Sequence, residues 1–308
     1  MSVRADRPSA PSKVARRLYF GRGAAPFWGI HLAALAGVVY LRPSWSGLAL
    51  AVASYFVRMV VVTAGYHRYF SHRSFKTSRG FQFLLAFASQ STVQKGVLWW
   101  ASHHRWHHKH SDTPEDVHSA QQLGFWYAHL GWILGPDNNA TRIELVGDLA
   151  KYPELRFLNR KAIQLLPALV YALACLALGG LHGLVWGFFV STVLLWHGTF
   201  TINSLAHMLG RRRYATSDDS RNSLALALLT TGEGWHNNHH HYQSSARQGF
   251  RWWEVDVTYY VLRLLAAVGL VWDLRRVPPE ALALDIVPET SAPKRFRPSD
   301  ARPMTAEG

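Results

Sequence analysis

Cysteine is almost absent: Cys175 is the only one in 308 residues, and it sits inside an apolar run. That excludes a disulfide framework and a thiolate metal site, and leaves Cys175 as a small packing residue. Acidic residues are also few, 19 against 33 lysines and arginines, for a formal charge of +14 and a pI of about 10.2. None of the four long apolar stretches contains a glutamate. The excess base is not spaced along a recognition helix, so nucleic acid is not the expected partner. It clusters at Arg4–Arg22, Arg68–Arg79, Arg211–Arg213 and Lys294–Arg302, on the flanks of apolar runs, as membrane topology requires. The first 25 residues hold no continuous apolar stretch and read as a basic tail rather than a signal peptide.

What the chain has in quantity is apolar sequence. Four spans are expected, at residues 27–41, 45–66, 162–180 and 184–209. The first is short: its fifteen residues at about 1.5 Å each cover about 23 Å of a hydrocarbon core roughly 30 Å thick. The turns "LRPS" and "GGLHG" join the four into two hairpins. Basic residues fill the N-terminal segment, the block from His67 to Lys161 and the block after Arg211, so the positive-inside rule places these in the cytoplasm. Arg58, inside the second span, is expected to snorkel or pair with an acid. Phe81–Trp100 reads as one helix lying against the membrane or re-entering it, and Trp252–Trp272 as an amphipathic interfacial segment. From Pro278 onward no packed structure is expected. The fold class is therefore an all-α integral membrane protein, with four transmembrane helices and a cytoplasmic helical cap. Its expected organisation is a basic tail at 1–25, a membrane domain at 26–279 and a flexible tail at 280–308.

Histidine carries the chemistry. Nine of the 17 fall in four groups near the cytoplasmic ends of the spans. In "HHRWHH", His104, His107 and His108 stand at i, i+3 and i+4, one face of a helix. The same triplet returns in "HNNHH" as His236, His239 and His240. Asn203 and His207 are four apart in the last span. His67 and His72, in "HRYFSH", are five apart, which requires the helix to end or bend between them. His103, His107 and His110 offer a competing face that spacing alone does not exclude. His182 and His197 read as satisfied polar residues. Imidazole suits zinc, copper, iron and nickel, and nine ligands exceed the three or four of a single zinc centre, so two metals are implied. Glu115–His118 and Glu233–His236 have the Glu-x-x-His spacing of ferritin-like di-iron sites. The spans lack the remaining glutamates, however, so an imidazole-dominated pair is expected.

"HRYFSH", "HRWHH", "NSLAH" and "EGWHNNHH", in this order around two apolar hairpins, resemble the membrane-bound fatty acyl desaturases. The nearest branch is that of the stearoyl-CoA Δ9 desaturases and their bacterial relatives, and the likeness runs from about Trp28 to Val277. It favours His104-His107-His108 over the competing face, because the family box is H-R-x-H-H. The resemblance implies one iron held by His67, His72, His108 and His240, with Asn203 acting through a water. It implies a second held by His104, His107, His207, His236 and His239. It matches no ligand to His103, His110 or His241.

The resemblance also implies an acyl-CoA desaturase, an oxidoreductase using O2 and two Fe2+ ions to place a cis double bond in a saturated acyl chain. An unactivated methylene offers no acidic proton, so the cofactor must supply the reactivity and the protein the positioning. Gln94, Trp100 and Thr199 match the family residues at the bend of the acyl channel. Tyr55 and Met59 match the region of its closed end, and the bulk of Met59 predicts a bias toward sixteen-carbon over eighteen-carbon chains. The stretch "GPDNN", Gly135 to Asn139, is uncharged where the acyl-CoA enzymes are basic. This leaves Arg105 as the expected phosphate contact, with acyl-CoA preferred to a phospholipid-borne acyl group. The 29 residues after Pro279 are too few for a haem or iron–sulfur fold. Electrons are therefore expected from a separate ferredoxin- or cytochrome-type partner with its reductase. A hydroxylase on the same scaffold would share every ligand, and a membrane metal transporter would string its histidines along a transverse path.

Overall fold

The computed structural model describes residues 21–287. The tails at 1–20 and 288–308 lie outside the described residues, including most of the segments expected to be a basic and a flexible tail. The architecture is mostly helical. Helix α1 is Ala25–Leu41 and α2 is Trp45–Val61, extended by a π-helical segment, Val62–Ser71. Helix α3 is Arg79–Gln90, α4 is Val97–His110 and α5 is Leu166–His182. A second π-helical segment, Gly183–Val190, leads into α6, Ser191–Ser204. The short α7, His236–His241, and α8, Val257–Ala267, complete the main elements. One departure from all-α is a two-residue antiparallel ribbon of β1 (Lys76–Thr77) and β2 (Val271–Trp272), with Lys76 opposite Trp272. Its second strand ends the amphipathic segment expected at the interface over Trp252–Trp272.

Local chemistry sets these boundaries. Pro43 breaks the chain after α1, and Ser44 caps α2 by accepting from the Gly47 amide at 3.1 Å. Ser78 and Asp256 cap α3 and α8 in the same way. Among the described residues, two helical runs are long and apolar enough to cross a membrane, Trp45–Ser71 and Leu166–His207. The second is not straight. Gly180 leaves the helix with φ 57° and ψ −151°, and a Cβ on Gly183 would lie 2.2 Å from the Cys175 carbonyl. The chain therefore doubles back there. Gly37 against Val185 and Gly47 against Trp186 bring α1 and α2 onto the returning strand of this hairpin without room for a Cβ. Large apolar residues point away from the bundle: Leu35 and Val39 on α1, Val57 on α2 and Leu178 on α5 are 63–90% exposed. Large apolar side chains exposed in such numbers on helices are what lipid covers.

Three expectations are corrected. Phe81–Trp100 is not one helix: α3 ends at Gln90, and Val93 and Lys95 take left-handed backbone (φ 61° and 66°) before α4 starts at Val97. Arg58 neither snorkels nor meets an acid. It is 3% exposed and donates to Ser191 Oγ, Thr192 Oγ1 and the Ser91 carbonyl at 2.8–2.9 Å. Finally, residues 279–287 take regular structure, though none of them is buried. Pro279–Ala283 is helical, and the amides of Ala215 and Val287 donate to the carbonyls of Asp285 and Arg213, both at 2.7 Å.

Candidate metal centre

The π-helical segment Val62–Ser71 explains the spacing of His67 and His72. The helix does not break between them; it widens. The His72 amide donates to the His67 carbonyl at 3.2 Å, an i to i+5 bond, so residues five apart share a face. Their rings lie 4.8 Å apart. Helix α4 brings His104, His107 and His108 beside them. Asn237 and Asn238 pin the six-residue α7. Asn237 Oδ1 accepts from the amides of Arg213 and Tyr214, and Asn238 Nδ2 donates to Gln248 O and Glu254 Oε2. Between these anchors His236, His239 and His240 face inward. His207 enters from the turn that follows α6.

The nine imidazoles form two adjoining groups. His67, His72, His104, His108 and His239 make one, and His107, His207, His236 and His240 the other; within each the ligand nitrogens all lie within 4.8 Å. In the first group, Nε2 atoms meet at 2.8 Å (His72–His104), 3.0 Å (His67–His239 and His104–His108) and 2.9 Å (His108–His239). The resemblance put His240 with the first metal and His104 and His239 with the second. In the structure these three are exchanged. The reason is that Asp218 holds Nδ1 of His240 at 2.5 Å, which turns Nε2 toward His107, His207 and His236. His103, His110 and His241 stay outside both groups. His103 and His241 stack on Trp99 and Tyr214, and His110 lies tilted against Trp106, so the competing α4 face holds only His107.

A ring of carboxylates that sequence reading did not identify stands behind the histidines. Asp116 accepts from His107 Nδ1 at 3.0 Å and Asp112 from His207 Nδ1 at 2.8 Å, and Glu233 Oε2 pairs with His67 Nδ1 at 2.5 Å. With the proton fixed on Nδ1, Nε2 presents a bare lone pair toward the centre. Arg68, fully buried, holds Glu233 in turn and also pairs with Asp256 at 2.9 Å. Burial would raise the pKa of Asp112, Asp116 and Asp218, but the imidazoles outweigh it and hold all three below the usual range. Burial, reinforced by neighbouring imidazoles, keeps His72, His104, His108, His236 and His239 well below theirs, hence neutral. Nε2 pairs this close hold either one shared proton or a common cation. The buried Nε2 of His240 has no hydrogen-bond partner. This donor set fits a metal pair.

A cavity adjoins the first group. Its wall includes Gln94, Trp99, Trp100, His104, His118, Trp132, Thr199, Phe200 and Asn203. Gln94 Nε2 donates to Thr199 Oγ1 at 3.2 Å, and Trp100 stacks between Tyr66 and His104. Gln94, Trp100, Thr199 and Asn203 are thus brought together. Tyr55 and Met59 do not line this cavity. They pack against Gly198, where a Cβ would sit 2.4 Å from Tyr55 Oη and 3.1 Å from Met59 Cε. Arg105 lines a separate, open pocket with His72, His108 and Lys109. It is not free for a phosphate, because all its N–H groups are taken. They donate to the carbonyls of Phe70, Ser71 and Leu145 and to both oxygens of Asp148, at 2.6–3.1 Å.

Comparison with known proteins agrees with this geometry. Residues 43–274 match the model of the family described as fatty acid desaturase. The sn-1 stearoyl-lipid 9-desaturase of Anabaena variabilis is 38% identical over 81% of this chain and 91% of its own length. The acyl-CoA 5-desaturase of Anemone leveillei is 39% identical over 82% of this chain and 78% of its own. Delta-9 acyl-lipid desaturase 2 of Arabidopsis thaliana is 37% identical over 86% and 85%. With its histidine-rich metal site and its apolar helices, the chain belongs to the fatty acid desaturase family.

Proposed function

We propose that the protein is an O2-dependent fatty acyl desaturase that places a cis double bond, at Δ9, in a saturated acyl chain. The observation that carries this reading is the meeting of two imidazole groups with a cavity walled by Gln94, Trp100 and Thr199. Five nitrogens in one group exceed the four of a tetrahedral zinc site, which favours iron. When bound, an iron pair supplied with O2 and two external electrons provides the oxidising power that unactivated methylenes demand. The chain does the rest. Asp112, Asp116, Asp218 and Glu233 fix the tautomer and angle of four imidazoles. The aromatic cavity wall excludes water, and the Gln94–Thr199 pair offers the polar contact at which an acyl chain bends. Position, not acid–base chemistry, is what the protein contributes.

Four membrane spans are proposed, with α5 and α6 as the two arms of the Gly180 hairpin and with both termini and the metal centre cytoplasmic. The outward apolar belt and the distribution of basic residues support this. Electrons come from a separate ferredoxin- or cytochrome-type protein with its reductase. For the carrier, the engagement of Arg105 removes the cation expected to meet a CoA phosphate, and "GPDNN" supplies no other. A lipid-linked acyl chain is therefore favoured, in keeping with the Anabaena variabilis relative's name.

The test is reconstitution in vesicles with iron, O2 and a reduced ferredoxin. Deuterated stearoyl groups are offered either as acyl-CoA or in the sn-1 position of a phospholipid. Conversion of the phospholipid to its Δ9 product is expected. Conversion of acyl-CoA alone would reverse the carrier, and conversion of neither would overturn the reading.

A further inference from the structure

Between α3 and α4 the chain passes through residues 91–96, where Val93 and Lys95 hold left-handed backbone. Left-handed backbone is strained for a β-branched residue and persists only where the surroundings over-determine it. Here they do. The Ser91 carbonyl accepts from Arg58 Nη2 at 2.9 Å, those of Thr92 and Val93 from Trp196 Nε1 at 3.1 and 3.2 Å, and that of Lys95 from Tyr66 Oη at 2.6 Å. Gln94 is the residue presented by this clamped turn, and it meets Thr199 in the cavity wall.

Arg58 is the unusual member of the clamp. Its other arm donates to Ser191 and Thr192 at the start of α6, and its guanidinium lies 4.8 Å over the ring of Tyr171. No carboxylate pairs with it among the described residues. A charge this deep in an apolar bundle is costly to keep, and well-packed apolar residues would hold the helices as firmly. Its fork does what an apolar side chain cannot: it fixes one carbonyl of the turn relative to α6.

We propose that Arg58 is a positioning residue that sets which acyl carbons face the metal centre. This rests on the desaturase reading above. The methylenes of a saturated chain are chemically alike, so only distance from fixed wall contacts can select one pair. Gln94 stands on the turn Arg58 holds, and Thr199 stands on the helix it is held to. A shift of the turn relative to α6 slides neighbouring carbons into the reactive position.

The test compares Arg58→Met and Arg58→Lys with the wild type, by locating the double bond in the product and by hydrogen exchange of the Thr92–Gly96 amides. Both variants should retain metal and activity. Products one carbon from the wild-type position should rise by about tenfold in Arg58→Met, the equivalent of a small change in relative barriers, and by less in Arg58→Lys. Exchange should quicken within Thr92–Gly96. A folded, active pair with the wild-type product position would overturn the proposal. If neither variant folds, Trp196→Phe and Tyr66→Phe each delete one donor to the same turn, and an unshifted product in both overturns it equally. If the wild type makes no double bond, the desaturase reading fails instead. Exchange then decides the clamp: quickening confined to the turn upholds it and unchanged rates overturn it.

Discussion

Replacing Asp218 with asparagine isolates what one carboxylate does for the metal centre. Asp218 Oδ2 receives the Nδ1 proton of His240 at 2.5 Å, with side chains 6% and 1% exposed. The other nitrogen of His240 then points, without a protein partner, into the group of His107, His207 and His236. Asparagine keeps the shape but removes the charge that fixes the tautomer and raises the basicity of Nε2. The Ser220 amide and the Thr216 hydroxyl, both held by Oδ1 at 3.0 Å, can still bond to an amide oxygen, so the loop should remain in place. Loss of such a partner costs about 10–100-fold in metal affinity, or about 1.4–2.7 kcal/mol. The assay is metal content after equilibration against graded chelator. One metal should leave at a correspondingly lower chelator concentration. The other should not move, because none of its five histidines touches Asp218. A titration that superimposes on the wild type, or one in which both metals weaken together, would refute the reasoning.

Three further outcomes are expected. His104→Ala and His239→Ala should abolish turnover, measured as new double bonds, while His110→Ala and His241→Ala retain most of it; the reverse pattern would move the ligand face on α4. Arg105→Ala should lower the melting temperature, because three carbonyls and Asp148 lose their donor, at a cost of at least about 2 kcal/mol. The KM of surviving enzyme for an acyl-CoA should stay unchanged, and a selective rise in that KM would restore Arg105 as a phosphate contact. Met59 lies outside the cavity but packs on Gly198, next to Thr199, and the proposal that the acyl end extends to it is tested by Met59→Ala. With about 0.8 kcal/mol per buried methylene, two methylenes move the preference from sixteen toward eighteen carbons by roughly tenfold, read from competing substrates.

The histidine grouping was legible in part: helical period offered two faces of α4, and only the family box chose His104, His107 and His108 over His103, His107 and His110. The turn at "LRPS" and the break at Gly180 were legible from proline and glycine. Three features were not, each for a physical reason. The π-helical register that pairs His67 with His72 depends on tertiary packing, and no local propensity marks it. The carboxylates that orient four of the histidines, Asp112, Asp116, Asp218 and Glu233, have partners nine to about 170 positions away in the chain. A signal existed in a chain with only 19 acidic residues: these four cluster around the histidine boxes. Glu233 was visible inside "EGWH" but was weighed as a ligand rather than as a histidine's partner. Arg58 was misjudged because hydroxyls and a carbonyl, not an acid, accept from its two terminal nitrogens. Such acceptors carry no sequence pattern.

The most direct test of the central claim is to express the chain in a host that makes no unsaturated fatty acids and to identify the fatty acids of its membranes by gas chromatography with mass spectrometry. A new cis monounsaturated acid at Δ9, dependent on O2 and absent with His104→Ala, is the predicted result. A hydroxylated chain, or no new product from protein that is present in the membrane and loaded with iron, would contradict the account.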